Sequence, residues 1–190
     1  MTGDESPAPP AVHPALTNRF SPVRFDPTAT VTDPQLDTLL DAARLSPSAG
    51  NSQPWRFIAG LRGSAVHART VRHLARSSAG WAPDASLLVV NLTQTHVEDA
   101  PDWEYSEFSR YDLGQAVAHM TVQALALGLA AHQFRAFDRD AVAAEFGVAP
   151  QFEVTSMTAF GSAAHGPGEI ASPGTSRERL GRGEVTWARG

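Results

Sequence analysis

At 190 residues and 20.2 kDa, with 42% hydrophobic and 18% charged residues, the chain has the length and apolar content of one domain able to bury a sizeable core. A net charge of -5 and the lack of any basic run exclude the electrostatic footprint of a nucleic-acid binder. There is no cysteine and no lysine, all 15 basic residues being arginine, which excludes thiolate nucleophiles, disulfide exchange, zinc-thiolate sites and lysine bases or Schiff bases.

No run approaches the ~20 continuous apolar residues of a membrane span, and the N-terminus lacks an apolar signal core. A cytoplasmic protein with no membrane partner is expected. Residues 1–15, rich in Pro, Ala and acidic residues, predict a disordered tail ahead of one domain over 16–190. Asn18 to Pro27 reads as a turn-rich segment carrying Arg19 and Arg24. A helix follows, with Asp33 as N-cap, Pro34 at the first helical position, and Leu36, Leu39, Leu40 and Ala43 on one apolar face. Pro47 disfavours helical geometry at Ser46 and ends it.

The next residues, Pro47 to Pro54, form a short loop rich in polar side chains, with Gly50 allowing close backbone approach, before a strand-like Trp55 to Ile58. Such a loop is either an ordinary helix-to-strand connection or a binding loop. Gly60 to Gly63 marks a turn, and Ser64 to Ser78 predicts a helix whose Arg69, Arg72 and Arg76 read as solvated charge. Ser86 to Leu92 is a continuous β-branched apolar run, predicting a buried central strand. Thr93 to Asp102 reads as an exposed connection. The longest helix is expected over Trp103 to Leu129, with Leu113, Val117, Met120, Ala124 and Leu127 as its main face, Ala116, Gln123 and Ala126 off it, and Gly128 as its stop.

Beyond the segment Ala131 to Asp138, a short helix capped by Asp138 stops at Gly147, and Glu153 to Gly161 reads as a strand. Ala163 to Thr175 is a loop, and Glu184 to Trp187 a short terminal strand. The seven histidines form no close pair and no HExxH arrangement, so no metal is expected. Gly161-Ser-Ala-Ala-His-Gly166 lacks the middle glycine of a dinucleotide fingerprint, and no helix pattern follows it.

The string from Pro47 through Ser48, Asn51 and Gln53 to Pro54 and Trp55 resembles the Pro-Ser-x-x-Asn-x-Gln-Pro-Trp signature of the nitroreductase family of flavin-dependent oxidoreductases. In that family this loop lies against the flavin ring and comes from across a dimer interface. Arg19-x-Ser21 resembles the family's N-terminal Arg-x-Ser element, which holds the flavin phosphate and ribityl chain, and Arg177-x-Arg179-Leu180 its C-terminal basic-x-Arg-Leu element. Ala131 to Asp138 is similar to the loop whose backbone amides face flavin N5, with Ala136 where a glycine is usual. Ser78 stands where the family often carries an asparagine ahead of a Trp-Ala pair, here Trp81-Ala82.

The resemblance implies an α+β fold with a mostly antiparallel central sheet flanked by helices, assembled as an intertwined homodimer. The long alanine-rich helix would build much of the interface. It implies FMN as cofactor, NADH or NADPH as reductant, and a small-molecule acceptor such as a nitroaromatic or quinone. The implied cofactor-binding residues are Arg19, Phe20, Ser21, Pro47, Ser48, Ala49, Asn51, Gln133, Phe134, Arg135, Ala136, Arg177 and Arg179, with none assigned as catalytic. An FMN-dependent dehydrogenase or oxidase for a biosynthetic substrate, and a non-catalytic flavin-binding dimer, are the alternatives.

Overall fold

The computed structural model describes residues 11–171 and 176–190. Most of the predicted tail lies outside these residues, as does part of the loop predicted from Ala163 to Thr175. The last two tail residues instead open α1 (Pro14–Thr17), where the Ala15 N–H donates to His13 Nδ1 at 3.1 Å. α2 spans Asp33–Arg44. Its cap is Thr32 rather than Asp33: Thr32 Oγ1 accepts from the Gln35 N–H at 3.4 Å and Gln35 Oε1 accepts from the Thr32 N–H at 2.9 Å. This reciprocal capping box, worth ~1 kcal/mol, wins because it satisfies two free amides at once.

β1 (Trp55–Leu61) extends the predicted strand. The single helix expected over Ser64 to Ser78 is broken into α3 (Ala65–Val71) and α4 (Arg76–Ala79). Between them Leu74 forms an antiparallel bridge with Phe137, and the Ala75 N–H donates to Ala136 O at 3.0 Å. A distant backbone partner thus overrides a locally helical pattern. β2 (Leu87–Gln94) is followed by a hairpin, β3 (His96–Val97) and β4 (Ala100–Glu104), where an exposed connection was predicted. Trp103 therefore lies in β4, and the longest helix, α5, runs only over Ser109–Ala126. Gly128, at φ 75°, terminates it as expected.

β5 (Ala130–Phe134), α6 (Arg139–Phe146) and β6 (Phe152–Gly161) follow. α6 has the predicted Asp138 cap and Gly147 stop. The last element, α7 (Arg182–Val185), replaces the predicted terminal strand, because Glu184 Oε2 accepts from the Gly181 N–H at 2.7 Å and closes a helical turn. Among the described residues no helix is long and apolar enough to cross a membrane.

Strands β1, β2, β5 and β6 form one antiparallel sheet in the order β1-β2-β6-β5. β2 is central and buried on both faces, as its sequence predicts, and its side chains divide by strand alternation. Leu87 and Val89 join Trp55, Ala131 and Phe160 beneath α2 and α5; Leu88, Val90 and Leu92 join Met157, Ala159 and Val142 on the other face. Full burial of each large apolar side chain contributes ~1.5–3 kcal/mol. Leu113, Val117, Met120 and Ala124 of α5 face this core, and so does Ala116, which the predicted seam left out. On the opposite face α3 rests directly on β1: a Cβ at Gly60 would lie 2.5 Å from the His67 backbone nitrogen.

Glu145 ties α3 to α6. It accepts from Arg69 Nε at 2.8 Å and Arg72 Nη2 at 2.9 Å, and meets His73 Nε2 at 3.2 Å. Hydrogen bonds from Arg69 first, then His73, lower its carboxyl to about 2. Because this lies below the unfolded value of ~4.3, the unfolded chain binds more protons in the intervening pH range. The staple is fully present above that unfolded value and is lost as pH falls through about 2. Glu145→Gln should therefore melt below wild type at neutral pH, with the difference narrowing as thermal melts are taken to lower pH. A difference independent of pH would assign Glu145 a role in packing alone.

Candidate functional site

Alternation along β5 sends Ala131 and Gln133 to one face and His132 and Phe134 to the other. Ala131 and Gln133 line a pocket of about 260 Å³ with Arg19 and Ser21 from the N-terminal segment and Ala118, Thr121 and Val122 from α5. Gln133 Nε2 donates to Thr121 Oγ1 at 3.2 Å, and Arg19 Nη1 donates to Ser21 Oγ at 3.2 Å. Three of the predicted site residues are thus brought together. The α5 lining residues carry no sequence signal of a site, since small residues on a helix read as packing.

The pocket is electropositive. Burial first, then the neighbouring Arg179 and Arg177 guanidinium groups, push Arg19 below its ordinary value. Arg177 Nη2 donates to Thr17 O at 2.6 Å, which ties the C-terminal segment to the chain just before Arg19. Arg179 Nη1 donates to the neighbouring Glu178 carbonyl at 2.7 Å. Among the described residues none of these three arginines forms an ion pair. Like charges brought together without a carboxylate repel one another, so the arrangement is stabilised by an anion placed among them.

The predicted loop takes a different place. Ala49–Asn51 form a 3-10 turn, and Gly50, Asn51 and Gln53 all have positive φ, at 58°, 56° and 49°. For Asn51 and Gln53 this left-handed backbone costs on the order of 1–2 kcal/mol each, and such strain persists only where surrounding bonds enforce it. Here Ser48 Oγ accepts from the Gln53 N–H at 3.0 Å, Tyr105 Oη donates to Ser52 O at 2.9 Å, and buried Asp112 accepts from the Ala49 N–H at 3.0 Å. The outcome is a rigid loop that leaves Pro47, Ala49 and Asn51 exposed. Pro47, Ser48, Ala49 and Asn51 do not line the pocket at Arg19.

The segment expected to be a loop over Ala131 to Asp138 is strand β5 as far as Phe134. The Phe134 side chain lies in the core, edge-on to Trp81 at 4.9 Å, on the face opposite the pocket. Arg135 is exposed, and Ala136 is pinned through its carbonyl, which accepts from the Ala75 N–H and from Ser78 Oγ. The two residues that depart from the resemblance are thus bonded to each other. Ser78 is buried and turned inward, so its hydroxyl offers nothing to a ligand.

Two histidines that the sequence did not single out flank the Arg19 segment. His132 stacks on Trp81 at 4.5 Å and contacts Pro22 O through Nδ1 at 2.7 Å; burial, with a smaller push from Arg19, lowers its affinity for a second proton despite that bond. His165 accepts from the Val23 N–H at 3.1 Å, and its ring meets that of Phe20 edge-on at 5.5 Å.

A model of the nitroreductase family matches residues 16–162. A crystal structure described as an oxidoreductase containing FMN superposes with a TM-score of 0.76 at 28% identity, covering 87% of this chain and 83% of that one. A nitroreductase family protein from Streptococcus pneumoniae superposes with a TM-score of 0.73 at 18% identity, covering 92% and 98%. The Aliivibrio fischeri major NAD(P)H-flavin oxidoreductase is 47% identical over 49 residues, a match spanning 26% of this chain and only 22% of that protein.

Proposed function

This chain belongs to the nitroreductase family, and from that premise we propose that it is an FMN-dependent NAD(P)H oxidoreductase acting as a homodimer on a small planar acceptor such as a quinone or nitroaromatic. The observation that carries this reading is the convergence of Arg19, Arg177 and Arg179, without an ion-pair partner among the described residues, beside a pocket lined by Ser21 and Gln133. That donor set fits a phosphate monoester. Guanidinium groups offer charge-assisted and often bidentate bonds, and Ser21 and Gln133 supply polar contacts for a hydroxylated chain leading away from it. FMN bound there would supply hydride transfer between NAD(P)H and the acceptor.

The remaining roles fall to the exposed loop. Ser48 and Asn51 would hydrogen-bond the ring system, and the bonds from Asp112 and Tyr105 to the loop backbone hold it in place before any ligand arrives. The backbone near Arg135 and Ala136 would face the reactive edge of the ring, its position set by the bond between Ser78 and Ala136. In one chain the loop and the arginine pocket are separate surfaces, which supports a site completed by a second copy.

The test is direct. The purified chain should quench added FMN fluorescence with a Kd in the low-micromolar range or tighter, ~8 kcal/mol. It should then oxidise NADH or NADPH rapidly when a quinone or nitroarene is supplied. Failure to bind FMN would sink the flavin reading. Tight FMN binding without oxidation of either nucleotide would leave a flavoprotein that uses another donor.

A further inference from the structure

We propose that His132 and His165 are positioning residues that clamp a single peptide unit, Pro22–Val23, and thereby hold the Arg19–Ser21 segment in its anion-binding geometry; this rests on the FMN reading above. The two polar groups of that peptide are taken from two sides. Its carbonyl, on Pro22, meets His132 Nδ1 at 2.7 Å, and its N–H, on Val23, donates to His165 Nε2 at 3.1 Å. The histidines come from β5 and from the loop after β6, 110 and 142 positions along the chain from their partners. No regular secondary structure holds Arg19 to Ser21, so without such bonds the segment would have to be ordered by the ligand itself.

The chemistry of the two rings is complementary. Pro22 O only accepts, so His132 must carry its proton on Nδ1. Val23 N–H only donates, so His165 Nε2 must be bare, with its proton on Nδ1 directed at Gly166 O, 2.9 Å away. His165 therefore works only as the neutral ring. Each ring is braced in turn, His132 by stacking on Trp81 and His165 by the edge of Phe20. Phe20 and Val23 bracket Ser21, so the His165 ring grips the segment on both sides of the residue that lines the pocket.

The experiment uses the full-length protein with FMN and riboflavin as probes, read by fluorescence quenching, and amide hydrogen exchange of Val23 read by NMR. His165→Ala should speed Val23 exchange and weaken FMN about tenfold, which is ~1.4 kcal/mol, with riboflavin weakened clearly less, because it shares only the Ser21 contact and lacks the phosphate that Arg19 would hold. His165→Gln places an amide oxygen near the position of Nε2 and should restore both the slow exchange and most of the FMN affinity. A structural role alone would weaken both ligands equally, and that outcome overturns the proposal. So do Val23 exchange unchanged in His165→Ala, or a folded His165→Gln that recovers nothing. Arg19→Ala is the control for the parent reading: if it too shows no FMN-selective loss, the phosphate assignment fails, whereas its selective loss with an indifferent His165→Ala removes only the clamp.

Discussion

Replacing Arg179 by alanine is expected to weaken FMN about 10- to 100-fold while leaving riboflavin within about twofold. The expectation follows from how the charge is arranged. A phosphate monoester carries nearly two negative charges, and each charge-assisted bond to it contributes ~1.5–3 kcal/mol. Arg179 makes no bond to a carboxylate among the described residues, only one to a neighbouring carbonyl, so little in the free protein competes for its guanidinium. It also repels the partly buried Arg19. Its removal should consequently leave the melting temperature of the ligand-free protein unchanged or slightly raised, even as FMN affinity falls. That opposition of signs separates the anion site from its rivals. If the C-terminal segment were an uninvolved tail, neither ligand would respond. If it acted through general stability, both affinities and the melting temperature would fall together. Raising salt should narrow the gap between FMN and riboflavin in the wild type, because the segment is exposed and screening acts on exposed charges.

What the sequence reveals depends on whether the deciding interactions are local. β2 was legible because the apolar run from Leu87 to Val90 needs both faces covered, and α6 because Asp138 and Gly147 mark its two ends in the residues themselves. The division between α3 and α4 was not legible, since it is made by the bridge from Leu74 to Phe137. The hairpin of β3 and β4 escaped for a related reason: its polar, acidic residues show no alternation, and its end is fixed by Tyr105 reaching Ser52. In the site, Arg19, Ser21 and Gln133 were named by resemblance to a family motif, and the fold brings them to one pocket. His132 and His165 had no such signal. Their roles rest on bonds to Pro22 and Val23 that exist only once β5 and the end of β6 are in place. His165 lies in the very stretch that looked superficially like a dinucleotide fingerprint, where its ring, not the glycine spacing, proves to be the informative feature.

Mixing two inactive variants is expected to restore activity if the loop and the arginines of one site come from different copies. Arg19→Ala removes the electropositive pocket, and Asn51→Ala removes a ring contact from the exposed loop while the bonds from Asp112 and Tyr105 still hold the backbone. Each variant alone has every site damaged. After unfolding and refolding together in equal amounts, random pairing makes half the dimers mixed, and in a shared-site geometry each mixed dimer holds one doubly altered site and one intact site. About a quarter of wild-type activity should then return. If both elements served the same site from one chain, every site in the mixture would still carry one substitution, and activity would stay at the level of the parents. The physical ground for expecting recovery is the separation of the two surfaces. The loop is rigid, strained and exposed, and it lines no part of the pocket that holds Arg19. Strain of this kind is retained where a fixed shape is used, and within one chain Asn51 and Gln53 are both exposed. Light scattering on the same samples completes the argument, since recovery requires a species near twice the 20.2 kDa chain mass, and a stable monomer that binds FMN at full affinity would refute the shared site outright.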